Sequence, residues 1–359
     1  MPETPTPEPS VFPVRRVVTG HDADGRPVIV ADANTPVTSV SRRGHGMAEV
    51  LWFDGSPARA DDGGDPAPEL RGTFPAGGAA ACRLVRWPGS PAGTPAEETW
   101  LRTPGDDPEE PGMHRTDTQD LIVVVSGSIV LGLDDGEYEL GPGDAVVQRG
   151  TRHRWRVAGE QPCVFLSVVL SPEPGAKKPE LVIGGVGDPV DGNRLLITVG
   201  DAGPDGGDAG EGRSRAAVFG TPPSVFPPAG FAVYDLWQTG GPLADAAQGG
   251  TSIPGARWSL EPHGGGVALR RVEFSPDREP VPADWHTTAT IDVGVVVSGA
   301  FELDLADGGA DGKGTTTRLD SGDVVVQRAT RHRLRAVGET EACMVSVMFA
   351  LSAAGGTGG

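Results

Sequence analysis

The sequence predicts an all-β fold made of two tandem antiparallel β-barrels. Apolar runs of four to eight residues, rich in Val, Ile, Leu and Thr, are bounded by Gly, Pro and Asp, the pattern of short strands joined by turns. Apolar spacing at the helical period is nearly absent. The chain also repeats itself: DLIVVVSG at 120–127 returns as DVGVVVSG at 292–299, and GDAVVQRGTRHRWRV at 143–157 returns as GDVVVQRATRHRLRA at 322–336.

The repeat extends outward from these segments. VLWFDGSPA (50–58) faces DLWQTGGPL (235–243), FPAGGAAACRLVRW (74–87) faces EPHGGGVALRRVEF (261–274), and Asp24-Gly25-Arg26 matches Glu211-Gly212-Arg213. The spacing between the copies drifts, as it does when loops change length at the surface, where insertion costs little. The reading is a tail over 1–14, a first domain over 15–172, a linker over 173–189, a second domain over 190–352 and a tail over 353–359. Asp134-Asp135-Gly136, Gly141-Pro142-Gly143-Asp144 and Asp307-Gly308 signal turns between strands. The stretches 201–212 and 307–317 read as long flexible loops.

A length of 359 residues suits two domains. Lys and Arg number 30 against 49 Asp and Glu, a net charge of −19 that repels phosphate backbones and anionic lipid; nucleic acid and membrane partners are not expected. No window approaches the roughly 18 apolar residues of a membrane span, and the acidic, Pro-rich start MPETPTPEPS does not read as a secretory signal. Three cysteines without a CxxC spacing fit a reducing compartment, so a soluble, cytoplasmic protein is expected. Cys163 and Cys343 fall at equivalent places on a predicted last strand and read as small buried apolar residues.

Four of the seven histidines are paired between the copies: His114 with His286, and His153 with His332. Each first histidine opens H-x-T-x-T-x-D, as His114, Thr116, Thr118 and Asp120, and as His286, Thr288, Thr290 and Asp292, with Gly127 and Gly299 seven residues after the aspartates. Two imidazoles and a carboxylate per copy are sufficient to hold a divalent metal and leave positions open for water, oxygen or substrate. On a straight strand His114 and Asp120 would lie roughly 20 Å apart, so a chain reversal near Thr116-Asp117-Thr118 is required. Strand alternation puts His153 and Trp155 on the inner face and Arg152, Arg154 and Arg156 on the outer one. The competing reading is a metal-free site in which these polar groups hydrogen-bond one another inside the barrel.

The pattern resembles the two motifs of the cupin superfamily, G-x5-H-x-H-x3-4-E-x6-G and G-x5-P-x-G-x2-H-x3-N. His114 and His286 stand at the first histidine, Asp120 and Asp292 at the glutamate, and His153 and His332 at the last histidine. Thr116 and Thr288 replace the second histidine, Arg149 and Arg328 the proline, and Val157 and Ala336 the asparagine. The resemblance implies a duplicated cupin with jelly-roll-like, double-stranded β-helix barrels. It also implies one divalent metal (Fe, Zn, Mn or Ni) per functional barrel, held by His114, Asp120 and His153, and by His286, Asp292 and His332. Thr116, Thr118, Thr288 and Thr290 would orient the carboxylates from behind the ligands. The variant is similar to bicupins of aromatic polyketide and spore-pigment biosynthesis. That implies a metal-dependent tailoring enzyme that cyclises or oxidises a polyketide or phenolic intermediate, with an Fe(II) dioxygenase and a non-catalytic small-molecule-binding bicupin as alternatives. A small-molecule substrate is the expected partner, and a homodimer is a permitted assembly. If one barrel works alone, the more polar surroundings of the first motif favour the first.

Overall fold

The computed structural model describes residues 12–36, 38–41, 43–53, 74–103, 105–173, 181–200, 212–224, 230–239, 241, 249–250, 259–262, 265–281, 284–306 and 314–351. The first copy contains β1 (Arg15–His21), β2 (Pro27–Asn34), β3 (Thr38–Val40), β4 (Gly46–Phe53), β5 (Ala80–Trp87), β6 (Gln119–Ser126), β7 (Ile129–Leu133), β8 (Gly136–Leu140), β9 (Ala145–Arg149), β10 (Arg154–Val157) and β11 (Cys163–Leu170). The second contains β12 (Leu181–Val182), β13 (Leu195–Gly200), β14 (Ser214–Gly220), β15 (Phe231–Thr239), β16 (Gly249–Gly250), β17 (Val267–Phe274), β18 (Thr290–Ser298), β19 (Ala300–Leu305), β20 (Thr316–Asp320), β21 (Val324–Arg328), β22 (His332–Ala336) and β23 (Ala342–Ala350). The all-β class is as the sequence predicts; among the described residues the only helical element is the 3-10 turn Ala96–Glu98. No helix among them is long and apolar enough to cross a membrane.

Each half is a jelly-roll-like pair of sheets, one large and one of three strands. The large sheets run β14-β13-β9-β6-β11-β5-β4-β3 and β12-β16-β15-β17-β23-β18-β21-β1-β2; the small ones are β10-β7-β8 and β20-β19-β22. The orders show that the halves exchange hairpins. β1 runs parallel to β21, with Arg16 opposite Val324 and Val18 opposite Val326. β13 runs parallel to β9, with Leu195 opposite Ala145 and Ile197 opposite Val147. Local strand signals carry no information about this long-range pairing. An arginine docks the start of each exchanged strand on the aspartate of the partner's Gly-Asp turn, Arg194 on Asp144 and Arg15 on Asp323 at 2.7 Å. One apolar core, including Val18, Leu51, Val123, Ile197, Trp237 and Val293, runs through both halves.

The Asp134–Gly136 turn joins β7 to β8, where Leu133 pairs with Gly136. Gly127 and Gly299 have φ of 72° and 69°. A Cβ would sit 2.3 Å from the Pro162 carbonyl oxygen at the first and 2.6 Å from that of Glu341 at the second. Both the left-handed backbone and the close approach therefore require glycine here. All three cysteines are buried and unbridged, as expected of small core residues. The predicted turn at Asp307-Gly308, most of the tails, most of the 201–212 and 307–317 loops and residues 174–180 of the 173–189 linker lie outside the described residues, and β12 falls in the described part of that linker.

Candidate functional site

The two histidines of each copy meet as neighbours on facing strand ends. His114 and His153 exchange both backbone hydrogen bonds at 2.9 Å and their rings lie 4.4 Å apart, tilted by 50°. His286 and His332 repeat this at 3.0 Å, with rings 4.4 Å apart and a 60° tilt. In all four, Nδ1 lies 2.8–2.9 Å from a backbone carbonyl: Gly112, Thr151, Asp284 and Thr330 in turn. A carbonyl oxygen only accepts, so Nδ1 carries the proton and Nε2 is the nitrogen left for the cavity.

His114, Thr116, Asp120, His153 and Trp155 line a cavity of about 450 Å³ in the first half. His286, Thr288, Asp292, His332 and Leu334 line one of about 330 Å³ in the second. Trp87, Phe165 and Trp155 give the first cavity aromatic walls, where the second has Phe274, Met344 and Leu334. Trp155 packs edge-on to His153 with centroids 5.9 Å apart, so alternation along β10 sorts inner from outer residues as predicted. The outward arginines are paired: Arg152 with Asp107 and Glu110, Arg156 with Glu137, while Arg154 stacks on Trp100 with its guanidinium carbon 4.0 Å from the ring centroid.

Burial dominates the protonation of these groups. It pushes the Asp120 carboxyl up to about 6, against a smaller lowering by Thr118. It takes Asp292 up to about 7, against lowering by Thr290 and Arg270, with Glu261 raising it slightly. One carboxylate oxygen of each, Oδ1, is buried without a hydrogen-bond partner. Burial, then the neighbouring imidazole, lowers His153 and His332 to about 3, so both are neutral hydrogen-bond acceptors at Nε2. The threonines form chains behind the aspartates, Thr118 donating to Thr116 at 2.9 Å and Thr290 to Thr288 at 2.7 Å.

The structure thus joins the two predicted imidazoles in each half and sets the aspartate on the wall of the same cavity. Asp120 sits on β6 opposite Gln148 of β9, and Asp292 opposite Gln327 of β21. Among the described residues no three His, Cys, Asp or Glu side chains are gathered closely enough to share an ion. The donor set in place is two imidazoles, which does not by itself fit a three-ligand metal.

A pair of residues not singled out from the sequence completes each site. Arg83 binds Glu49 at 2.7 Å and lines the first cavity; Arg270 binds Asp235 at 2.7 Å and lines the second. Burial raises the Glu49 carboxyl and Arg83 opposes it. The signal was in the repeat itself, which aligns Arg83 of CRLVRW with Arg270 of LRRVEF.

Residues 102–169 match the family pattern described as Cupin domain. The matched segment spans β6 to β10 and most of β11 of the first half, including His114, Asp120 and His153, and the second half repeats it. The chain is 38% identical over 77 residues to Oryzines biosynthesis cluster protein J of Aspergillus oryzae, covering 21% of this chain and 38% of the relative. It is 56% identical over 45 residues to Phomopsin biosynthesis cluster protein C' of Diaporthe leptostromiformis, covering 12% of this chain and 24% of the relative. The matches therefore span well under half the length of these relatives. Among solved structures, a putative glyoxylate induced protein of Pseudomonas aeruginosa aligns at 12% identity and a TM-score of 0.44, over 89% of this chain and 87% of that one. AerE of Microcystis aeruginosa aligns at 9% identity and a TM-score of 0.43, over 88% and 97%.

Proposed function

We propose that this protein is a cupin-type tailoring enzyme of secondary metabolism that transfers a proton on a small hydroxylated aromatic intermediate of the phenolic or polyketide type. One observation carries the reading: in one aromatic-walled cavity, a carboxyl raised to about 6 faces the same space as an imidazole held neutral. An acid–base group works best with a pKa near the working pH, which assigns the proton transfer to Asp120 rather than to His153. The neutral Nε2 of His153 accepts a hydrogen bond from a phenolic or enolic hydroxyl, orienting the ring against Trp155 and Phe165. The relatives named for the oryzine and phomopsin biosynthesis clusters support a setting in secondary metabolism.

A second reading keeps the metal-dependent cyclase or Fe(II) oxygenase. It is favoured by the unpartnered Oδ1 of Asp120 and of Asp292, each sharing a cavity with two imidazoles whose Nε2 faces are uncommitted to backbone. Solvent-deuterium incorporation alpha to the carbonyl of a hydroxy-1-tetralone separates the readings. Proton transfer predicts exchange in chelator-treated protein that is lost in Asp120→Asn and weakened in His153→Ala. Exchange or oxygen uptake only after metal addition favours the second reading, and binding without either leaves a non-catalytic module.

A further inference from the structure

We infer that Thr198 and Thr19 are positioning residues that act across the two halves, each holding the second histidine of the other half's cavity in its reactive tautomer. Thr198 lies on the exchanged strand β13, yet its hydroxyl sits under the turn that leads to His153. It accepts a hydrogen bond from the Arg149 backbone N–H at 3.0 Å and from the Thr151 hydroxyl at 3.0 Å. The Gln148 amide donates to the Thr151 hydroxyl at 2.9 Å and to its carbonyl at 3.0 Å. That carbonyl accepts the His153 Nδ1 proton at 2.9 Å. The route from Thr198 to His153 therefore has two side-chain links and one peptide carbonyl. Thr198, Gln148, Thr151 and His153 are all at most 3% exposed.

The other half builds a related device from the opposite direction. Thr19, on the exchanged strand β1, accepts the Arg328 backbone N–H at 3.1 Å and lies 2.8 Å from the Thr330 hydroxyl, while Gln327 Oε1 accepts from both threonines at 3.1 and 2.9 Å. The Thr330 carbonyl accepts His332 Nδ1 at 2.9 Å. The Gln327 amide is turned over relative to Gln148: its Oε1 ties the two hydroxyls together, its Nε2 is buried without a partner, and the Thr330 carbonyl is held through Thr330 itself. In both clusters every threonine hydroxyl has a partner, while Gln148 Oε1 and Gln327 Nε2 are buried without one; rotating a threonine hydroxyl away would strand a further polar group from water. Fixing the carbonyl fixes which imidazole nitrogen carries the proton, and so which one the cavity meets.

The inference rests on the proposed function only for its effect on catalysis; the tautomer is measured without any substrate. Histidines labelled with 15N are read by long-range proton–nitrogen correlation in the full chain. His153 shows a protonated Nδ1 and a bare Nε2 in the parent protein. Thr198→Val moves both His153 nitrogens toward tautomer-averaged positions and leaves His332 in place, Thr19→Val does the reverse, and Thr198→Ser restores the parent spectrum. If Thr198→Val does not fold, Thr198→Cys, which weakens the same two bonds at similar volume, gives the shift at smaller amplitude. An unmoved His153 in folded Thr198→Val or Thr198→Cys overturns the inference, as does a shift of equal size at both His153 and His332. Loss of tetralone exchange with an unmoved tautomer would leave the proposed function standing without it, and a moved tautomer with no exchange in the parent protein would do the opposite.

Discussion

Replacing the buried carboxyls by amides tests the electrostatics of both sites. A carboxyl whose folded pKa is raised holds its proton more tightly in the native than in the unfolded chain. Stability therefore falls as pH rises from the unfolded value of 3.8 toward about 6 for Asp120 and about 7 for Asp292, and the loss is complete above those values. At about 1.4 kcal/mol per unit, the full penalty is about 3 kcal/mol for Asp120 and about 4 kcal/mol for Asp292. Asp292→Asn removes it, and integrating the linkage gives a stability advantage that grows by about 2–3 kcal/mol between pH 5 and pH 8; for Asp120→Asn the growth is about 1–2 kcal/mol. Comparing two pH values cancels any pH-independent cost of placing the amide. Guanidinium unfolding of parent and variants at both pH values, in chelator-treated protein, makes the measurement. An advantage that stays flat or shrinks with rising pH refutes the argument and means that the carboxylates are ionised and held by positive charge. On the proposed mechanism Asp120→Asn is at once more stable at pH 8 and inactive.

Other consequences follow from the packing. His153 and His332 are neutral to about 3 in the folded state against 6.5 unfolded, so their contribution to stability is lost as pH falls from 6.5 toward 3, which an acid-unfolding series of His332→Gln, flatter than the parent, would reveal. Arg194→Ala strips the fully buried Asp144 of its cation and is expected to cost about 3 kcal/mol in denaturant unfolding, whereas Arg15→Ala, whose partner Asp323 is partly exposed, is expected to cost about 1 kcal/mol or less. Gly150 has φ of 61° and its counterpart Ala329 has φ of 52°, the only non-glycine at positive φ among the described residues. Gly150→Ala should lose about 1 kcal/mol and Ala329→Gly should gain up to about 1 kcal/mol, read as opposite shifts in thermal midpoint.

The sequence made the duplication, the strand content and the inner face of the second motif legible, because each is a local or periodic property: His153 and Trp155 share a face by alternation alone. It made the meeting of His114 with His153 legible only through the family pattern, since the bridge between them joins segments separated by four strands. The placement of Asp120 on β6, one strand pairing away from Gln148, is a matter of register that spacing along the chain does not express. Hairpin exchange was illegible for the same reason, although its anchors, Arg15 with Thr19 and Arg194 with Thr198, recur at equal spacing in both copies. Arg83 and Arg270 read as ordinary strand residues until burial against Glu49 and Asp235 showed that each is held by a carboxylate at the cavity wall.

The central claim is that each cavity holds a carboxyl able to exchange its proton near neutral pH beside an imidazole that stays neutral. Carbon-13 titration of the aspartate side chains in chelator-treated protein, with Asp120→Asn and Asp292→Asn to assign the signals, measures this directly. The account predicts midpoints near 6 for Asp120 and near 7 for Asp292. Midpoints at or below the ordinary value of 3.8 would contradict it.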